Sequence, residues 1–149
     1  MRGPTLLVIE DLEDQAVLVG IAARRAHPGL EVHTAGNGHE GIRYLEAAVA
    51  GAADHPMPDL VILDLYMPEA DGFTVLEWAR ARGDGFAAPI VVLTASPSVE
   101  DEMKALEQGA EAVFKKPVHV SELGDTVREI VQRWIGRGEI IAAHIWEMG

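Results

Sequence analysis

Four short stretches of this 149-residue sequence place reactive groups at the ends of apolar runs. Leu6–Ile9 runs into Glu10-Asp11, Leu60–Leu63 into Asp64, Ile90–Thr94 into Ala95-Ser96, and Ala112–Phe114 into Lys115-Lys116-Pro117. Singly, each has an ordinary explanation. Strand ends are often polar, and Glu10-Asp11 can simply place negative charge at the start of a helix. Together they call for chemistry. Three carboxylates brought to one rim repel, and a divalent cation among them relieves the repulsion. Hard oxygen ligands with open positions suit Mg2+, which keeps waters and grips phosphoryl oxygens. A lysine and a hydroxyl can hold further phosphoryl oxygens. The set reads as a phosphoryl-transfer site. The sequence contains no GxxxxGKS/T loop, and the phosphoryl donor is expected to come from outside.

These residues need a scaffold that brings strand ends together. The five apolar runs are Leu6–Ile9, Leu30–Ala35, Leu60–Leu63, Ile90–Thr94 and Ala112–Phe114. Three are rich in Val, Ile and Leu without alternation, as in strands buried on both faces. Helical patterns separate them. The first presents an apolar, small-residue face of Ala16, Val17, Val19, Gly20, Ile21 and Ala23. The second opens at Asn37 with Glu40 in capping-box spacing and continues through Ile42, Leu45 and Val49. The third spans Phe73 to Ala81. The fourth starts at Ser98 with Asp101 in cap-like spacing, carries Met103 and Leu106, and stops at Gly109. The fifth carries the stripe Leu123, Val127, Ile130, Val131, Trp134. Strand alternating with helix predicts an α/β fold, an open parallel sheet with helices on both faces. Its functional crevice lies beyond the carboxyl ends of the strands, where the reactive groups fall. Residues 50–58 form the longest expected loop.

Twelve basic against 24 acidic residues give a net charge of −12, which disfavours nucleic acid and anionic lipid as partners. The sequence lacks an apolar stretch near the roughly 20 residues needed to cross a bilayer. The opening MRGPTLLVIED is unlike a signal peptide. With no cysteine there is no disulfide or thiolate chemistry, and a cytoplasmic location fits.

The motifs "VIED", "VILDLYMPEADG", "VVLTAS" and "FKKP", in this order and spacing, resemble the receiver domain of two-component response regulators, the CheY-like family, over roughly residues 5–135. The resemblance implies a flavodoxin-like, doubly wound five-stranded sheet in the order 2-1-3-4-5. It implies that Asp64 accepts a phosphoryl group from a sensor histidine kinase. Glu10, Asp11, Asp64 and the Tyr66 carbonyl would hold Mg2+. Thr94 and Lys116 would contact the phosphoryl group, and Pro68 and Gly72 would shape the loop after Asp64. The chain would signal by conformational change rather than act as an enzyme on other substrates. The loop before Asp64 and the "IVQRWI" ending resemble single-domain receivers that accompany bacterial phytochrome kinases.

One position departs from the family pattern. The aromatic switch residue expected three positions before the lysine is Val113, and Phe114 should point to the opposite face. Two rival readings are open. In a haloacid-dehalogenase-type phosphatase a second aspartate would stand two residues after the nucleophile, where this chain has Tyr66. A degenerate receiver acting only as a binding module would lack some of the five key residues. The six histidines show no close-paired ligand spacing, and His119 falls at the fifth helix's cap. Residues 1–136 are expected to form the receiver domain. Residues 137–149, with Ile140, Ile141, Ile145 and Trp146, are expected to form a C-terminal extension that serves as a homodimerisation arm.

Overall fold

The computed structural model describes residues 3–67, 71–95 and 97–136. Five strands alternate with five helices: β1 (Thr5–Ile9), α1 (Glu13–Ala26), β2 (Glu31–Ala35), α2 (Gly38–Val49), β3 (Leu60–Leu63), α3 (Gly72–Arg82), β4 (Ile90–Thr94), α4 (Val99–Glu107), β5 (Ala112–Lys115) and α5 (Val120–Trp134). A 3-10 turn, Gly83–Gly85, leads from α3 towards β4. All strand pairs are parallel, in the order β2-β1-β3-β4-β5. The order reverses between β1 and β3, and crevices open at such reversals.

The central strands explain the unbroken apolar runs. Leu7, Ile9, Val61, Leu63, Ile90 and Val92 pack on the side of α2, α3 and α4. Their alternating neighbours Leu6, Val8, Leu60, Ile62, Val91 and Leu93 pack against α1 and α5. A strand covered on both faces has no use for polar alternation. The edge strands β2 and β5 are only half-buried, which is why their sequences are mixed. The second strand starts at Glu31 rather than Leu30 and the fifth runs on to Lys115. The segment between α2 and β3 is the loop expected at residues 50–58, and Tyr44 Oη anchors it by donating to the Pro56 carbonyl at 2.7 Å.

Capping largely follows the expected chemistry. Ser98 and Asp101 make a reciprocal capping box on α4. Asn37 accepts from the Glu40 N–H at 2.9 Å, but the Glu40 carboxylate reaches one residue further back, to the Gly36 N–H at 2.6 Å. His119 is the N-cap of α5 in backbone conformation only, with no side-chain cap bond. The α5 stripe is core as expected: Leu123, Val127, Ile130 and Val131 are buried, and Trp134 meets Phe114 edge-on, with ring centroids 6.1 Å apart. Val17 and Ile21 differ from expectation. Ala16, Val19, Gly20 and Ala23 take the inner face of α1, because close packing against the sheet selects small side chains, and Val17 and Ile21 are left exposed.

Candidate functional site

Strand register assembles the site. Ile9 pairs with both Ala35 and Leu63, so the next residues, Glu10 and Asp64, leave the sheet side by side. Their backbones are still tied down: Glu10 N–H donates to the Ala35 carbonyl and Asp64 N–H to the Ile9 carbonyl, each at 3.0 Å. Thr94 pairs with Lys115, and the Lys116 N–H donates to the Thr94 carbonyl at 2.7 Å, which stitches the ends of β4 and β5 together. Beyond Asp64 the chain turns back, with the Gly72 N–H donating to the Leu65 carbonyl at 2.9 Å. A β-carbon at Gly72 would lie 2.5 Å from the Asp64 carbonyl oxygen, so this approach needs glycine.

Asp64 is held from three directions. Thr94 Oγ1 donates to Oδ1 at 2.7 Å, the Tyr66 N–H donates to Oδ1 at 3.3 Å, and Lys116 Nζ donates to Oδ2 at 3.1 Å. Lys116 Nζ also donates to Glu10 Oε1 at 2.5 Å. Thr94 is 0% exposed, Glu10 4% and Asp64 7%, so these polar groups sit in a largely dehydrated recess. Asp11 is half-exposed at its rim. Of the two adjacent lysines, Lys116 is the one drawn into the site, and Lys115 is exposed.

The electrostatics are unbalanced. Glu10, Asp11 and Asp64 each offer a carboxylate oxygen, and the three oxygens lie within 4.8 Å of one another. One lysine cannot neutralise three acids. Burial, then the hydrogen bond with and negative charge of Asp64, push the Glu10 carboxyl up to about 8, against the pull of Lys116. Burial lowers the Lys116 ammonium, but the hydrogen bond to Glu10 and the charges of Asp64 and Glu10 outweigh it, and the net shift is upward. Glu10 Oε2 is buried without a hydrogen-bond partner among the described residues. An unpartnered acceptor beside two more carboxylates fits a hard divalent cation.

Every described residue of the expected site is therefore in one place: Glu10, Asp11, Asp64, Tyr66, Thr94 and Lys116. Pro68 and Ser96 lie outside the described residues. Tyr66 is half-exposed. Val113 packs on the α2–α4 side of the sheet and Phe114 on the α1–α5 side, as the alternation required. Among the described residues, no helix is long and apolar enough to cross a membrane.

Comparison with known proteins agrees with this geometry. Residues 6–128 match the family model of the response regulator receiver domain. The chain is 34% identical over 133 residues to the transcriptional regulatory protein PrrA of Mycobacterium tuberculosis, covering 89% of this chain and 52% of that protein. It thus spans about half the length of such curated relatives. Among solved structures it is similar to the phosphorylated cyanobacterial phytochrome response regulator RcpA, with a TM-score of 0.80, 27% identity, and coverage of 89% of this chain and 94% of that one. It is also similar to the Mn2+-bound form of response regulator Rcp1 (TM-score 0.77, 25% identity, 88% and 94% covered). A third is response regulator RPA3017 in red light signaling of R. palustris (TM-score 0.78, 25% identity, 91% and 96% covered).

Proposed function

The chain belongs to the response regulator receiver domain family, and we propose that Asp64 is its phosphoryl acceptor, taking the group from a phosphohistidine of a sensor kinase in a Mg2+-dependent reaction. One observation carries the reading. Asp64 ends a buried strand with its carboxylate already fixed by Thr94, Lys116 and the Tyr66 N–H, beside two further acids. Phosphoryl transfer depends chiefly on positioning and charge neutralisation. An Asp64 oxygen bonds to phosphorus as the P–N bond breaks, leaving an acyl phosphate here and a neutral imidazole on the donor. Lys116 steadies the phosphoryl oxygens. Thr94 exchanges its bond to Asp64 for one to the new group, which shifts the β4–α4 connection. Glu10, Asp11, Asp64 and the Tyr66 carbonyl would hold Mg2+, which when bound supplies positive charge to the phosphoryl oxygens. The chain so read is substrate of its own reaction and not an enzyme acting on others.

Electrophoresis in a phosphate-retarding gel after treatment with acetyl phosphate tests this. A shifted band is expected for the wild type with Mg2+, and none for Asp64→Asn or with EDTA. Full labelling of Asp64→Asn would remove Asp64 from the role.

The printed descriptions of RcpA and RPA3017 support a phytochrome-type kinase as the phosphoryl donor, and the −12 charge argues against nucleic acid as a direct partner. A cytoplasmic location follows from that partnership. We place the domain boundary after Gly136, whose φ of 96° lets the chain leave α5 at a new angle. The segment 137–149 lies outside the described residues, and its apolar content motivates a homodimer joined through the α5 side and exchanged tails. Light scattering should give a dimer for the full chain and a monomer for a truncation ending at Gly138. Equal assembly of both would remove the tail from that role.

A further inference from the structure

The strands are parallel, so the sheet has a second edge at their amino ends, away from Asp64. A cavity of about 340 Å3 opens there, between the carboxyl-terminal ends of α3 and α4 and the start of β4. Its floor is apolar: Leu76, Phe86 and Ile90 line it and are buried. Its walls are rich in acceptors. Glu107 and Glu111 bring carboxylates, and Gln108 has its Oε1 buried without a hydrogen-bond partner among the described residues. A buried acceptor of this kind calls for a donor. The last carbonyls of two helices add partial negative charge at the same place.

The positive charge facing this set is small. Arg80 is the one cationic side chain lining the cavity, and its Nη1 donates to the Glu107 carbonyl at 3.4 Å, a long and therefore weak bond. Arg82, one turn away from the cavity's lining, is engaged elsewhere, over the Trp78 ring at 4.5 Å and against Glu46 at 3.7 Å. We propose that this cavity is a binding site for a small organic cation, an aromatic or aliphatic body carrying an amidinium or ammonium head. The body covers Leu76, Phe86 and Ile90, and the head donates to Gln108 Oε1 and the Glu107 carbonyl. The volume lies at the small end of ligand pockets, which suits a single-ring or short-chain amine. Carboxylate and phosphate ligands are rejected by Glu107 and Glu111.

The test needs no phosphoryl donor, so its outcome is independent of the reaction proposed for Asp64. The probe is benzamidine, and benzoate is the control of equal shape and opposite charge. Both are titrated into the 15N-labelled full chain with saturating Mg2+, which occupies the acidic cluster at the other end of the sheet. Benzamidine should move the amides of Gly83, Ile90 and Gly109 saturably, with a Kd on the order of 1 mM, and benzoate should bind at least about tenfold more weakly. Gln108→Leu should weaken benzamidine by about fivefold or more, because its head loses an acceptor. Arg80→Ala removes the competing cation and should tighten binding by about threefold. Arg80 is exposed, so this variant should keep the fold, as circular dichroism would register. Equal binding of benzoate would overturn the proposal, as would shifts confined to the Asp64 end. Unchanged affinity in Gln108→Leu, an Arg80→Ala variant that binds no more tightly, or no saturable shift at all would do the same.

Discussion

Replacing Glu10 by Gln should stabilise the metal-free protein, and the gain should depend on pH in a specific way. The Glu10 carboxyl is nearly sequestered from water and its protonation midpoint moves from 4.5 to about 8 on folding. Between those values the folded protein holds a proton that the unfolded chain releases, so stability falls as pH rises, by about 1.4 kcal/mol per unit. Below about 4.5 both states are protonated and the carboxyl has no differential effect; above about 8 the full penalty is present. At pH 7 the accumulated cost is about 3 kcal/mol, a ceiling because Glu10 and Lys116 are bound to each other. Gln keeps the shape and the acceptor for Lys116 Nζ but carries no charge. Urea or thermal unfolding in EDTA at pH 5, 7 and 9 should therefore show Glu10→Gln and wild type separated by about 1 kcal/mol at pH 5 and by up to about 5 kcal/mol at pH 9. For a chain of this length, 3 kcal/mol corresponds to a Tm increase of about 6–12 °C. Mg2+ should narrow or reverse the gap, since a ligand at a hundred times its Kd stabilises the wild type by about 2.7 kcal/mol. A gap that is constant with pH, or a variant no more stable than wild type at pH 9, would show that Glu10 carries no buried-charge penalty and that the carboxylate cluster is not frustrated without metal.

Four further outcomes follow from the same geometry. Mg2+ binding must displace the Glu10 proton below about pH 8, so the apparent Kd measured by titration calorimetry should fall by up to tenfold per unit between pH 6 and 7.5 and then level off. Asp11→Ala should weaken Mg2+ binding with little loss of fold stability, because Asp11 lies at the half-exposed rim; unchanged affinity would remove it from the ligand set. Gly72→Ala should cost about 1–3 kcal/mol in denaturant unfolding, since its β-carbon would collide with the Asp64 carbonyl and the backbone must shift. Tyr66, half-exposed two residues past Asp64, should shield the acyl phosphate, so Tyr66→Ala should shorten its half-life; an unchanged half-life would exclude shielding.

The sequence is most legible where one physical constraint acts alone. Buried parallel strands require unbroken Val, Ile and Leu, and the three central runs show it, so β1, β3 and β4 and the groups at their ends could be placed within a residue. The site then follows from register, because residues one step past paired positions such as Ile9 and Leu63 must emerge together. Helix periodicity is less informative. It reveals an apolar stripe but not whether the stripe faces the sheet. Along α1 the sheet takes Ala16, Gly20 and Ala23, and the larger Val17 and Ile21 are turned outward. In α4 the inversion is complete, with Ala105 inside and Met103 outside. A signal was present in the sequence, since glutamates adjoin the stripe on both sides, whereas polar residues on a core-facing helix concentrate opposite the apolar ones. The edge strands are the other weak point, because half-covered strands mix polar and apolar residues and their ends drift by a residue.

The position of Asp64 at the end of β3 joins these levels. A carboxylate within the strand would be buried between two apolar layers and would stay protonated. One residue past the last paired position, its backbone is still fixed by the Ile9 carbonyl while its side chain reaches the rim. The Gly72 N–H donates to the Leu65 carbonyl, and the Tyr66 N–H faces the same carboxylate. Strand pairing thus supplies the rigidity, and termination of the strand supplies the access. Thr94 shares this arrangement: it is fully buried, bound to Asp64 through its hydroxyl and to Lys116 through its carbonyl, and Ser98 begins the cap of α4 four residues later. With Val113 in place of an aromatic ring, no large side chain at that position of β5 has to move with Thr94. Thr94 is thus the group that a change of charge at Asp64 reaches first, through the bond between its hydroxyl and the carboxylate.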